Sequence, residues 1–396
     1  MSNQISLSEE TEQKPAPVPA PLRISKILGC LFGGAIGDAL GMPVTGRTRE
    51  EIAAMGGVRD FLPAADTAPV TIPLTALAEA ESEDPLGPGQ WTDDTQLTLA
   101  LAETLIDEQG LFIPDAWGHR LVRWLNDSPR APGLSSVQAA VQLRTGGAEW
   151  DEAADPEGGG CGAATRAAPI ALAYPDNAAI RRKYALLQAM TTHGQPDAQA
   201  AALAVAEAVA YVLPLRTCAK TAPRPQVWGR SGASHLLAPP IPGAEGANFG
   251  PFIHPLSARS PGGWDGADFL QRIIDVVREQ SSEFLEFARC IEVARNLLLD
   301  GVDTATAVRV LGVSAWAREA VPTALYLVAR HPDDLEALLL HTVNLTGGAV
   351  ESIATMVGAI GGALHGIDAL PARWRRDVED APRLLEASLG LHGLHR

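Results

Sequence analysis

The sequence of 396 residues has little cysteine and a shortage of positive charge. Its four cysteines, Cys30, Cys161, Cys218 and Cys290, lie far apart with no C-x-x-C spacing. This argues against a zinc site or a disulfide framework, so we expect reduced and mostly buried thiols. The 31 Lys and Arg against 47 Asp and Glu give a formal net charge of −16 at pH 7, which argues against binding of nucleic acid through phosphate contacts.

Long apolar runs are also scarce. No stretch approaches the roughly 20 apolar residues that span a bilayer, and the polar N-terminus lacks the basic-then-apolar order of a signal peptide. We therefore expect a cytoplasmic protein with no membrane contact. The chain is 46% hydrophobic and 20% charged, which is the range of globular proteins, and a sizeable core is expected.

Apolar residues recur at helical spacing in several segments, whereas alternating β-branched strands and a βαβ rhythm are scarce. The helical segments are 24–32, 97–105, 201–213, 273–299, 324–328 and 353–364. The sequence predicts an all-α protein with one helical-bundle domain over residues 23–396. Residues 1–22, acidic and proline-containing, are predicted to be a disordered tail, and residues 218–263, rich in Pro, Gly and Ala, a loop-rich insertion.

Two segments carry oxygen-rich helix starts. Thr92, Asp93 and Asp94 precede an apolar stripe, and Glu351 and Ser352 follow a glycine pair near the other end of the chain. Helix capping explains each segment, because a threonine accepts from the first turn and acids there complement the helix dipole. Carboxylates and hydroxyls are also the ligands that Mg²⁺ and Mn²⁺ prefer, and the two helix starts would form one metal site if the helices pack side by side.

Weaker signals lie between these segments. Asp38 stands in GGAIGDALG, whose glycine spacing is more typical of tight helix packing than of phosphate binding. The run GGGCGAATR offers backbone N–H groups that suit a pyrophosphate, although one glycine cluster is weak support. His193 precedes a helix that should begin at Pro196, and a lone histidine there is more often structural than catalytic.

Taken in order, five segments resemble the ADP-ribosylglycohydrolase family, which includes hydrolases of ADP-ribosylated arginine and serine. They read GGAIGDALGMP, GQWTDDTQLTLALAETL, GGGCGAATRAAPIAL, TTHGQPDAQAAALAVAEA and VNLTGGAVESIATMVGAIGGALHG. Together they extend over residues 25–366. The resemblance implies an all-α bundle with a central metal site that holds one or two Mg²⁺ or Mn²⁺ ions.

The resemblance also implies roles for individual residues. The implied metal ligands are Thr92, Asp93, Asp94, Glu351 and Ser352, of which Asp93 and Asp94 are also the candidate catalytic residues. The implied substrate-binding residues are Asp38, Gly159, Gly160, Cys161, Gly162, Arg166, His193, Gly347 and Gly348. By this analogy the loop from Gly159 to Arg166 holds the pyrophosphate and distal ribose, and His193 lines the adenosine side.

The sequence departs from the family pattern at three positions. Ala349 and Glu351 stand where two aspartates are expected, and Thr45 stands where many relatives have a glutamate. Alanine offers no oxygen, and a glutamate is one methylene longer than an aspartate. We therefore expect one metal on Thr92, Asp93, Asp94 and Glu351, with the second weak or absent.

Three functions follow from this pattern. The first is a metal-dependent hydrolase of ADP-ribosylated protein side chains, and the second is a related hydrolase of a ribosylated small molecule. The third is a catalytically impaired homologue that binds ADP-ribose or a partner protein. A separate hypothesis docks the acidic tail in the basic cleft of an ADP-ribosyltransferase, against the simpler interpretation that the tail has no role.

Overall fold

The computed structural model describes residues 20–63, 86–215 and 264–395. In these ranges the backbone forms helices and two isolated β-bridges, with no β-strand, so the all-α prediction is confirmed. The α-helices, in chain order, are α1 (Ala20–Gly41), α2 (Arg49–Ala54), α3 (Asp93–Asp107), α4 (Pro114–Asn126), α5 (Leu134–Arg144), α6 (Gly162–Thr165), α7 (Ala168–Ala173), α8 (Ala178–Met190), α9 (Pro196–Val212), α10 (Gly266–Gln280), α11 (Leu285–Leu299), α12 (Thr304–Leu311), α13 (Ala317–Arg330), α14 (Leu335–Leu345), α15 (Val350–His365), α16 (Ala372–Asp377) and α17 (Ala381–Gly393).

The helix boundaries differ from the sequence pattern in two places. Helix α1 begins at Ala20, so the last three residues of the predicted tail belong to it, while the rest of the tail and the predicted insertion at 218–263 lie outside the described residues. The apolar run 273–299 is divided between α10 and α11, because the side chain of Ser281 accepts a hydrogen bond from the Glu283 N–H and starts a new turn. Pro196 opens α9 as predicted.

Helices α1 and α15 form the central antiparallel pair. A Cβ at Gly33 would lie 2.2 Å from the carbonyl oxygen of Gly358, and a Cβ at Gly37 would lie 2.1 Å from that of Ala354. At Gly29 the corresponding distance to the Gly362 oxygen is 2.4 Å. Only glycine leaves room for backbones this close, which confirms tight packing as the reason for the glycine spacing.

The apolar character of α1 corrects one expectation. Residues 23–44 have a window of mean hydropathy 1.6 and are long and apolar enough, by length and composition, to cross a membrane. The prediction that no stretch approaches this limit is therefore wrong. Within this structure 94% of that window is buried inside the protein, as in the core helix of a globular fold.

The free thiols match the prediction where the structure describes them. Cys30 and Cys161 are buried, Cys290 is partly exposed, and all three are unpaired. Cys218 lies outside the described residues.

Replacing two adjacent glycines of α1 one at a time should distinguish the effect of backbone contact with α15 from the effect of helix propensity. Gly33→Ala should destabilise the protein by about 3 kcal/mol, because the added methyl group meets the backbone of α15. Gly34→Ala is the matched control, since the nearest atom to its Cβ is 3.6 Å away, and alanine favours the helix by up to about 1 kcal/mol. Equal urea unfolding midpoints for the two variants would contradict this account.

Candidate active site

The start of α3 carries the first part of the site. Thr92 is the N-cap, and its hydroxyl accepts a hydrogen bond from the Asp94 N–H at 3.3 Å. Asp93 and Asp94 occupy the first turn and are both buried. The capping role predicted for Thr92 is therefore confirmed, and it orients two carboxylates at one helix end.

Asp38 fixes the start of α3 by accepting hydrogen bonds from it. It projects from α1, is fully buried, and accepts from the N–H groups of Thr92 and Thr95 at 3.0 and 3.1 Å. The hydroxyls of the same two threonines donate to it at 2.9 and 2.6 Å. Both oxygens of Asp38 are thus engaged within the protein. These contacts tie α1 to α3, and the substrate contact expected from the resemblance stays a prediction.

The two carboxylates of α3 differ in their surroundings. Asp93 Oδ2 accepts from the Gly133 N–H at 2.9 Å, and Asp94 Oδ1 accepts from the Thr165 hydroxyl at 2.7 Å. Asp94 Oδ2 is buried and accepts no hydrogen bond from the described part of the chain. An unpartnered buried carboxylate oxygen is costly, so this atom marks a place where a ligand is needed.

The start of α15 lies beside these groups. Glu351 accepts a hydrogen bond from the Thr45 hydroxyl, and the Ser352 hydroxyl donates to Glu351 Oε1 at 3.4 Å. Ala349 is the buried N-cap residue, and it provides no side-chain cap. The predicted meeting of the two helix starts is observed, with Thr45 occupied in holding the glutamate.

Burial and the closeness of these carboxyl groups to one another shift their pKa values. Burial first, and then the charge of Asp94, raise the pKa of Asp93 well above its usual value. The same two causes raise the pKa of Asp38 to about 8 and that of Glu351 to about 7. Burial also raises the pKa of Asp94, against the opposing effects of the Thr165 and Ser352 hydroxyls and of Arg166. Burial and the charge of Asp94 therefore both disfavour the ionised form of the neighbouring carboxyls.

Two glycines shape the turn before α15. Gly347 and Gly348 have φ of +70° and +60°, a region that favours glycine. The Gly348 carbonyl accepts from the Gly46 N–H at 2.8 Å, and a Cβ at Gly348 would lie 2.2 Å from the Val313 oxygen. The structure thus explains both glycines by backbone geometry at the edge of the site.

The glycine-rich loop places the thiol of Cys161 near Asp94 and Glu351. Cys161 is buried, and burial raises its pKa above the usual thiol value, followed by the charges of Asp94 and Glu351. Its N–H donates to the Ala315 carbonyl at 2.8 Å. A thiol held in the neutral form is a weak nucleophile, so Cys161 lines the site without being its reactive group.

A loop that the sequence analysis missed joins these parts. The Val313 carbonyl accepts from the Ala349 N–H at 2.8 Å, and the Ala317 N–H donates to the Gly159 carbonyl at 3.0 Å. We define residues 313–316 as the bridging loop. Its sequence, VSAW, holds no acid, base or glycine pair, and only the exposed tryptophan is unusual.

Arg166 and His193 lie behind the loop. Arg166 is fully buried and donates to the side chains of Gln188, Ser136 and Thr192 at 2.8, 3.2 and 2.5 Å. The Thr192 hydroxyl lies 2.7 Å from Nδ1 of His193, whose pKa is lowered to about 3 by burial and then by Arg166. In this structure the guanidinium supports the loop from the core, and the substrate-binding role that the resemblance implies stays a prediction.

His193 remains at the loop itself. A Cβ at Gly160 or Gly162 would lie 3.7 or 3.6 Å from its Nε2, so the neutral ring packs directly under the glycines. Its placement on the adenosine side stays a prediction.

The donor set fits a hard divalent cation. Among the described residues no three His, Cys, Asp or Glu side chains form a ready-made metal cage, so the central metal site is a proposal. The unpartnered Asp94 oxygen and the crowded carboxylates nevertheless match the preference of Mg²⁺ and Mn²⁺ for oxygen ligands. Thr92 has its hydroxyl bonded to Asp38, and Ala349 contributes no oxygen.

Comparison with known proteins decides the family. The family model described as ADP-ribosylglycohydrolase matches residues 19–395. This chain belongs to the ADP-ribosylglycohydrolase family. A protein of Archaeoglobus fulgidus is 31% identical over 93% of this chain and 97% of its own length. Human ADP-ribosylhydrolase ARH3 is 27% identical over 94% of this chain and 93% of its own.

A solved structure supports the fold. A chain titled "ADP-ribosylglycohydrolase-related protein complex" is 22% identical, with a TM-score of 0.53, and the match covers 95% of this chain and all of that one. The expectation of an ADP-ribosylglycohydrolase-like helical fold is confirmed.

Removal of one carboxylate charge should stabilise the protein. In buffer without divalent cations, Asp94→Asn should be more stable by on the order of 1 kcal/mol, because Asp93 and Glu351 are then repelled less. Asp107→Asn, at the exposed end of the same helix and paired with Arg120, is the control and should give no gain. Urea unfolding followed by circular dichroism checks both, and a less stable Asp94→Asn variant would refute the repulsion.

Proposed function

We propose that this family member is a metal-dependent hydrolase that cleaves the glycosidic bond between the distal ribose and a protein side chain or a related small acceptor. The observation that carries the proposal is the buried acidic cluster beside a glycine-rich loop, in which one Asp94 oxygen accepts no hydrogen bond from the described residues. The name of the human relative, ADP-ribosylhydrolase, supports the same substrate class.

Hydrolysis breaks the bond between C1″ and the acceptor atom. Water supplies a hydroxyl group to C1″ and a proton to the departing acceptor. Each carboxylate has one oxygen that accepts a hydrogen bond, Asp93 Oδ2 from the Gly133 N–H and Asp94 Oδ1 from the Thr165 hydroxyl, and its other oxygen accepts none from the described residues. Asp93 and Asp94 therefore each have an oxygen placed to hold the water or accept its proton.

The cations proposed are Mg²⁺ or Mn²⁺. Asp93, Asp94 and Glu351 would hold the ion, with Thr92 and Ser352 as neutral oxygen donors. A bound divalent cation would neutralise the carboxylates and act as a Lewis acid toward the ribose oxygens. The glycine-rich loop is suited to the diphosphate, since Gly159, Gly160 and Gly162 donate no backbone hydrogen bond to other described residues.

A second candidate is a homologue that binds ADP-ribose without cleaving it. Two observations favour it: Ala349 has no oxygen, and Thr45 is engaged with Glu351. Under this alternative ADP-ribose binds, no acceptor is released, and Ala349→Asp raises the activity.

The hydrolase proposal is tested by incubation with ADP-ribosylated arginine and serine peptides and with ribosylated small molecules, each with Mg²⁺ or Mn²⁺. We expect free ADP-ribose or the corresponding ribose product by liquid chromatography, and an approximately 100-fold or greater fall in kcat for Asp94→Asn. Asp107→Asn should retain full activity. Absence of release from every substrate with both cations would reject hydrolysis, and retained ADP-ribose binding would then support the second candidate.

Thr45 should matter through the orientation of Glu351. Thr45→Val removes the donated hydrogen bond and should weaken Mn²⁺ binding about tenfold, since a glutamate without this contact must be ordered on binding. Thr45→Ser keeps the hydroxyl and should retain most of the affinity. Titration calorimetry on cation-stripped protein measures both, and equal affinities for the valine and serine variants would remove Thr45 from this role.

A further inference from the structure

Asp93 is bonded at two points to one loop. We define residues 128–133, which read SPRAPG, as the Asp93 loop. The Asp93 N–H donates to the Arg130 carbonyl at 2.9 Å, and Asp93 Oδ2 accepts from the Gly133 N–H at 2.9 Å. Because the loop is bonded to both the backbone and the carboxylate of Asp93, a shift of the loop also turns the carboxylate.

The backbone of the Asp93 loop is strained. Ser128 and Ala131 have φ of +64° and +45°, a left-handed region that is unfavourable for residues other than glycine. Ala131 also precedes Pro132, and a residue before proline favours an extended backbone. A loop in this conformation needs contacts with the surrounding structure to keep it.

Arg130 connects the loop to a distant part of the chain. Its Nη2 donates to Glu379 Oε1 at 3.0 Å, and its Nη1 donates to Glu379 Oε2, so the pair is bidentate. The guanidinium also lies 5.1 Å from the centre of the Trp91 ring. The side chains of Arg130 and Glu379 are only 26% and 23% exposed, and a bidentate pair of this kind holds a fixed geometry better than a surface ion pair.

Glu379 is itself fixed against the segment that enters α3. Its N–H donates to the Gly89 carbonyl at 2.9 Å, and its carbonyl accepts from Trp91 Nε1 at 3.0 Å. Its Oε1 also accepts from Gln90 Nε2 at 3.1 Å. Glu379 therefore connects the residues just before Asp93 to the loop that holds Asp93.

We propose that Glu379, acting through Arg130, is a positioning residue that orients the Asp93 carboxylate for the cation and the attacking water. This inference rests on the proposed function, and it adds a residue that lies beyond 25–366, the range that the family motifs cover. The guanidinium donates to Glu379 and to the Trp91 carbonyl, and its effect on Asp93 passes through the backbone of the loop.

The test measures Mn²⁺ affinity by calorimetric titration of the cation-stripped full chain, with Arg130→Met and Glu379→Gln as the variants. Each should weaken Mn²⁺ binding about tenfold, because the Asp93 carboxylate must then be ordered on binding. Loss of a positive charge near the site would by itself tighten cation binding, so Arg130→Met distinguishes positioning from simple electrostatics. Because the two residues act as a unit, the double variant should bind within about twofold of Arg130→Met.

Arg120→Met and Glu103→Gln are the matched controls. Arg120 and Glu103 form an ion pair whose side chains are 17% and 25% exposed, and Glu103 lies about 15 Å along α3 from Asp93. Both controls should keep the wild-type Mn²⁺ affinity. Amide hydrogen exchange in the Asp93 loop should become faster in Arg130→Met and Glu379→Gln and stay unchanged in the controls. In hydrolysis at saturating Mn²⁺, the two test variants should lower kcat about tenfold and leave KM within about twofold.

Wild-type or tighter Mn²⁺ binding in Arg130→Met would overturn this inference and leave the proposed function in place. So would an approximately hundredfold loss in the double variant, which indicates two independent effects, or an equal loss in the controls. If Arg130→Met does not fold, Glu379→Gln keeps the side-chain size, and wild-type affinity in that variant overturns the inference. A wild-type chain that binds neither Mn²⁺ nor Mg²⁺ would overturn the proposed function together with this inference.

Discussion

Glycines four residues apart along α1 bring its backbone against that of α15, and the positions of the site carboxylates depend on this contact. Asp38 lies on α1, and Glu351 lies in the first turn of α15. Because the helices are antiparallel, the end of α1 meets the start of α15, and a Cβ at Gly41 would lie 2.6 Å from Cα of Glu351. Close packing therefore sets the distance between the two ends of the chain at the site.

Electrostatics at the site opposes this packing. Asp38, Asp93, Asp94 and Glu351 are brought together, and the nearby cation Arg166 is directed into the core network of Gln188 and Thr192. The fold thus holds carboxyl groups that repel one another, and a bound ligand would reduce this repulsion. Sites of catalysis commonly trade stability for such an arrangement.

Part of the site was predictable because local sequence rules governed it. Thr92 caps α3, two acids follow it, and glycines at positive φ precede α15, as residue type and order indicate. The resemblance to family motifs supplied the substrate class. The hydrogen-bond partners of three polar residues could not be predicted. Asp38 accepts from Thr92 and Thr95, Arg166 donates to groups in the core, and Thr45 donates to Glu351.

The sequence by itself determined that the chain is helical, where glycines allow close helix contact, and which two helix starts carry carboxylates and hydroxyls, because these depend on local spacing and residue type. Tertiary structure alone decided which polar atoms remain free. Within the described residues, Asp94 Oδ2 accepts no hydrogen bond and Trp316 is exposed, because of how helices and loops distant in sequence pack around them. Hydrogen-bond saturation and burial arise only when those elements pack together.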